Sequence, residues 1–189
     1  MCRNESMDLG QVVIDTADIL KYIDDSGSRF KEFHPGIGPY GEPQLVKLVA
    51  AEMSRLPQYS SGVTTMRTPD LFIRKHWALE VKLARPFGDN DRCAENWSVN
   101  LLHPYSGNTS LLGDCLKLQA FNCEERKGVL AIGYEHEPAQ IPLEPLWSAF
   151  ELIAAGVMNL NLGPRVVARR CGLIHPVHQQ LVVIGWELR

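Results

Sequence analysis

The stretch PDLFIRKHWALEVKL, Pro69 to Leu83, constrains this chain more than any other. Leu71, Phe72 and Ile73, and then Ala78 to Leu83, have the length and composition of two buried strands, separated by the polar Arg74, Lys75 and His76. Successive side chains of a strand point to opposite faces, so Glu80 and Lys82 share one face while Leu79, Val81 and Leu83 share the other. A hairpin with a three-residue loop at Arg74 to His76 pairs Ile73 with Trp77 and sets Asp70 opposite Glu80. A two-residue loop would send Asp70 to the wrong face. Register therefore decides between an ordinary strand with a wet side and the wall of an acidic cluster with a lysine beside it.

Around this pair the chain alternates helical and strand periods. From Pro43, residues Leu45, Leu48, Val49, Met53 and Leu56 fall on one face of a helix, with proline in the first turn where it is tolerated. Glu42 stands at the entrance of that helix and Glu52 within its apolar face. A weaker stripe, Ile19, Leu20, Ile23 and Phe30, predicts a peripheral helix over residues 15–33. SSGVTTMRT reads as a weakly apolar first strand, SLLGDCLKLQAF as a helix, and GVLAIGYE from Gly128 as a buried strand. After Pro145 a strong helix, LWSAFELIAAGVM, precedes two strands, RVVARRCGLI and QQLVVIGWEL, joined through HPVH. The sum is an α/β fold in one domain, residues 1–189: a central mixed β-sheet flanked by helices, with a C-terminal helix and β-hairpin extension.

Composition removes several function classes. A net charge of -3 provides no global basic field, so a polyanionic partner must be met by a local patch. The apolar stretches fall short of the roughly 20 residues that span a bilayer, so no membrane anchor is expected. The polar start MCRNESMDLGQ lacks the apolar core of a secretory signal, which makes the cytoplasm the expected location. Five cysteines without a CxxC pair argue against a disulfide framework and against a thiolate zinc site.

Two carboxylates directly across a sheet repel each other, and a divalent cation between them removes the penalty. Hard oxygen donors select magnesium, manganese or calcium over zinc. A lysine two residues on can hold or deprotonate a water and contact a phosphate, the outline of a phosphodiester hydrolysis site. Pro69-Asp70, nine residues, then Glu80-Val81-Lys82 resembles the PD-(D/E)xK motif of the restriction-endonuclease-like nuclease superfamily. The resemblance implies a restriction-endonuclease-like core of helix, strand, strand, strand, helix, strand, matched here over residues 40–137. It also implies an acidic residue on the first helix, a position that Glu42 matches best and for which Glu52 is the alternative.

By that resemblance Asp70, Glu80 and Glu42 would be ligands of Mg2+ (or Mn2+), Glu42 as a further ligand or an orienting group, and Lys82 would position or activate water. The chain would then be a divalent-metal-dependent nuclease with DNA as its expected partner. Lacking a recognisable added DNA-reading domain, it would gain contacts from a homodimer or a partner protein. The alternative from a different class is a non-catalytic nucleic-acid-binding or assembly protein on the same scaffold, whose mark would be a broken triad.

Other signals are weaker. Arg67, Arg74, Lys75, Lys82, Arg85 and Arg92 fall within 26 residues around the motif, and Arg165, Arg169 and Arg170 offer a second phosphate contact. Asp114 and Lys117, three apart on a helix, read as an exposed ion pair, with Lys117 a secondary site candidate. GIGPYG matches GxGxxG at Gly36, Gly38 and Gly41, but no alternating strand precedes it, so it reads as a flexible loop leading into the helix. His175 and His178 form the tightest histidine pair and read as surface turn residues rather than a zinc site.

Overall fold

Residues 129–134, Val-Leu-Ala-Ile-Gly-Tyr, offer no polar face, and such a strand is stable only with apolar cover on both sides. The computed structural model, which describes residues 7–104 and 109–189, sets it inside a mixed sheet flanked by helices. Among the described residues the strands are β1 (Val63–Thr65), β2 (Leu71–Ile73), β3 (Trp77–Ala84), β4 (Arg126–Glu135), β5 (Val166–Arg170) and β6 (Gln180–Leu188). They lie in the order β1-β2-β3-β4-β6-β5, with β3 and β4 parallel and every other neighbouring pair antiparallel.

Helices α1 (Leu9–Asp25) and α2 (Glu42–Met53) cover one face of the sheet. The short α3 (Val99–Leu102), α4 (Leu111–Ala120) and α5 (Glu144–Gly156) cover the other. Alternation along β3 divides its side chains between the two layers. Leu79, Val81 and Leu83 join the α1 and α2 layer, whereas Ala78 and Ala84 join the α4 and α5 layer. Glu80 and Lys82, between those alanines, therefore point to the α4 side.

Three elements differ from expectation. The N-terminal helix runs over Leu9–Asp25, capped by the Asp8 carboxylate, which accepts from the Gly10 N–H at 3.1 Å. It is a core helix, not a peripheral one: Leu9, Val12, Val13, Ala17 and Leu20 are buried, and it packs on β5 and β6. The approach is so close that a Cβ on Gly185 of β6 would lie 2.7 Å from Val13 Cγ2. The GIGPYG loop is packed rather than flexible, with Gly36, Ile37, Gly38 and Pro39 buried and a Cβ on Gly38 only 2.2 Å from His178 Nδ1. The C-terminal hairpin is not an extension, because β6 pairs with β4 from Lys127↔Leu188 to Glu135↔Gln180 and is an interior strand. Among the described residues no helix is long and apolar enough to cross a membrane.

Candidate active site

The hairpin takes the three-residue loop, with Ile73 paired to Trp77 and Leu71 to Leu79, so Asp70 lies opposite Glu80. Lys75 supplies the left-handed turn residue at φ 67, a position usually given to Gly or Asn, which is why no Asn-Gly signal marks the turn. Beyond Leu71 strand β2 ends while β3 continues to Ala84, leaving N–H groups on that edge of β3 without a strand partner. Two carboxylates take them. Asp70 Oδ2 accepts from the Val81 N–H at 3.0 Å, and Glu42 Oε2 accepts from the Leu83 N–H at 3.1 Å. A buried N–H left unpaired costs about 1–3 kcal/mol, so these bonds hold both side chains in place at the rim of β3.

Lys82 is clamped. Its Nζ lies 3.2 Å from Glu42 Oε1 and 2.9 Å from Asp114 Oδ2, and Asp114 Oδ1 in turn takes Lys117 Nζ at 2.6 Å. Asp114 sits in the first turn of α4, whose Ser110 Oγ accepts from the Gly113 N–H. It is buried, so the Asp114–Lys117 pair is not the exposed surface pair expected, and Asp114 is a member of the cluster that sequence reasoning placed only at its margin. Burial pushes the Lys82 ammonium down, but the Glu42 and Asp114 carboxylates outweigh it and the net shift is upward. Lys82 is therefore a charged donor, fit to position a water or a phosphate oxygen and unfit to take a proton.

Glu80 is the group that the fold does not satisfy. It is 3% exposed, and its Oε1 has no hydrogen-bond partner among the described residues. Burial first, then the Asp70 and Asp114 carboxylates, pushes its carboxyl up to about 9, with Lys117 opposing. Glu42 is also raised, by burial, against the pull of Lys82 and the Leu83 N–H. Strand capping accounts for Asp70 and Glu42, and the lysines account for Asp114. No described residue bonds the free oxygen of Glu80. Glu52 does not compete with Glu42, since it pairs with Arg55 at the far end of α2.

The donor set suits a hard divalent cation. Asp70 and Glu80 are neighbouring carboxylates, one of them with a free oxygen, and magnesium commonly takes one or two protein carboxylates and several waters. Glu42 has both oxygens engaged, by Lys82 Nζ and the Leu83 N–H, which fits an orienting group better than a ligand.

A second cluster lies across the molecule's histidines. Among the described residues, the one trio whose ligand atoms all fall within 4.8 Å of one another is His34, Asp89 and His175. His175 and His178 are buried, not surface turn residues. His175 Nδ1 accepts from the N–H groups of both Val177, at 3.1 Å, and His178, at 3.0 Å, so Nδ1 is bare and Nε2 carries the proton it gives Asp89 Oδ1 at 2.9 Å. A metal-binding imidazole is protonated the other way, donating through the nitrogen that does not bind. This trio forms a hydrogen-bonded lock between the loop after β3 and the turn before β6, with His175 in the tautomer that does not offer Nε2 to a metal.

Of the basic residues near the motif, Arg67, Arg74, Lys75 and Arg92 are exposed. The other basic candidates are already engaged within the protein: Arg165 pairs with Glu144 and Glu151, Arg169 with Glu135, and Arg170 with Asp18. No known protein family, curated protein or solved structure matches this chain.

Proposed function

We propose that the protein is a divalent-cation-dependent nuclease acting on DNA, with a restriction-endonuclease-like core formed by α2, β1, β2, β3, α4 and β4. The observation that carries this reading is the buried Glu80 Oε1 beside Asp70, which has neither a hydrogen-bond partner nor a cation among the described residues, whereas Glu42 and Asp114 are both paired with Lys82. Asp70 and Glu80 would hold Mg2+ or Mn2+. When bound, such an ion polarises a phosphate and makes a coordinated water more acidic. Lys82, kept as an ammonium by Glu42 and Asp114, donates hydrogen bonds to the attacking water or a non-bridging phosphate oxygen and offsets developing negative charge. Glu42 and Asp114 are positioning residues that fix the lysine from opposite sides. Arg67, Arg74, Lys75 and Arg92 are exposed and would offer phosphate contacts in an otherwise acidic chain, Arg74 and Lys75 from the hairpin turn at the end of β3 away from Lys82.

The test is cleavage of plasmid and oligonucleotide DNA with Mg2+ or Mn2+, its loss with a chelator, and its loss in Asp70→Asn and Glu80→Gln. Calorimetry should show Mn2+ binding in the wild type that both variants lose. Folded protein that binds no Mn2+ and cuts nothing would instead make this a non-catalytic scaffold.

A further inference from the structure

Next to the Lys82 end of β3 lies a cleft of about 350 Å3, lined in part by Phe33, Pro39, Arg85, Phe87, Trp97 and Asn100. Arg85 follows Lys82 by three residues, about 10 Å along extended chain. Its Nη1 donates to Gly38 O at 2.6 Å and Tyr40 O at 3.1 Å, in the loop that leads to Glu42. Arg85 thus ties the cleft to the loop that enters α2 at Glu42, a member of the candidate site.

Its chemistry is specific. Among the described residues no carboxylate forms an ion pair with Arg85, and both of its hydrogen bonds leave through Nη1, so Nε and Nη2 remain available to a ligand. The Glu42 carboxylate helps to hold its charge without pairing with it directly, and a half-buried guanidinium with no direct acid partner is costly unless an anion meets it. Of the two carboxylates on the wall, Asp89 is held by His34 and His175, and Glu95 is exposed. Phe33 is 40% exposed and stacks one face on Phe30, leaving the other open, and Phe87, which meets His136 in an edge-to-face contact, and Trp97, packed against the core, are half-buried beside it. Aromatic faces next to a free guanidinium match a single nucleotide, with the base on the rings and a phosphate on Arg85.

We propose that this cleft seats one unpaired nucleotide beside the scissile phosphate, which makes single-stranded DNA, as a free strand, an end or a flap, the substrate class. The proposal rests on the nuclease reading. A base in a duplex would have to leave its stack to enter.

The experiment is fluorescence anisotropy with a labelled ten-nucleotide oligothymidine and with its duplex, in a chelator so that nothing is cut. The single strand should bind at least about 10-fold more tightly, and Phe33→Ala and Trp97→Ala should each weaken it roughly 10-fold, the loss of one stacked base, without changing duplex binding. Phe33 serves as the main probe because its exposed ring can be removed with little effect on melting temperature. Equal affinity for both forms, or full affinity in a folded Phe33→Ala protein, overturns the proposal. Cleavage with Mn2+ is followed in parallel. Cutting that shows no single-strand preference overturns the nucleotide seat and leaves the nuclease reading. Phe33-dependent binding without any cutting keeps the nucleotide seat as a single-strand binding site and overturns the nuclease reading, and with it the substrate role.

Discussion

Replacing Glu80 by Gln tests the orphan carboxyl without needing a substrate. Its pKa is pushed up to about 9 in the folded protein from an ordinary value of 4.5. Between those values the folded state holds a proton that the unfolded chain has released, so folding takes up a proton. The stabilising contribution is complete below the unfolded pKa and is lost as pH rises through the folded one, at up to about 1.4 kcal/mol per pH unit. Glutamine does not titrate. The stability of Glu80→Gln minus that of wild type should therefore climb by about 1.4 kcal/mol per unit from pH 6 to pH 8, whatever its offset at low pH. In a chain of 189 residues each kcal/mol moves the melting temperature by about 2–4 °C, which makes the expected divergence roughly 3–6 °C per pH unit. Thermal melts of both proteins in a chelator at three pH values measure it. A difference that stays flat with pH would refute the reasoning, because it would mean that Glu80 is ionised and satisfied in the folded state. Adding Mn2+ at pH 8 to a hundred times its Kd should then raise wild-type stability by about 2.7 kcal/mol and leave Glu80→Gln unmoved.

Other substitutions separate chemistry from architecture. Lys82→Met should reduce cleavage about 100-fold, equivalent to about 2.7 kcal/mol of transition-state stabilisation, and should also lower stability by roughly 3 kcal/mol in urea melts, since Glu42 and Asp114 lose their shared cation. Asp114→Asn should lower kcat with little change in KM, as Lys82 loses one of its two anchors; an unchanged kcat would remove Asp114 from the machinery. Arg165→Ala should lower the melting temperature and leave DNA affinity unchanged, because Glu144 and Glu151 already occupy the guanidinium. Equimolar Zn2+ should give the same small thermal response in wild type and His34→Ala; a wild-type gain that the variant loses would restore the histidine trio as a metal site.

The β2–β3 hairpin, the partition of β3 between two faces and, on the condition of a three-residue loop, the opposition of Asp70 and Glu80 were all legible in the sequence. Each follows from a local rule, the period of two in a strand and the length of a three-residue loop, and needs nothing from distant residues. The start of α2 was legible for the same reason, and with it Glu42 at the rim. The restraint on Lys82 was not. Asp114 reaches it only because β3 and β4 are parallel, which sends the chain over the sheet through α4 and brings a residue 32 positions away above the strand. Nor could periodicity tell that β6 would lie between β4 and β5, that α1 would press against it at Gly185, or that the histidines before β6 would be buried against the loop after β3. Those are matters of which surfaces meet, and they depend on the volume and polarity of residues far apart in the chain. The open oxygen of Glu80 belongs with them: the sequence by itself put two carboxylates across a strand pair, but only the packing of α4 and α2 around them decided that one would be left without a partner.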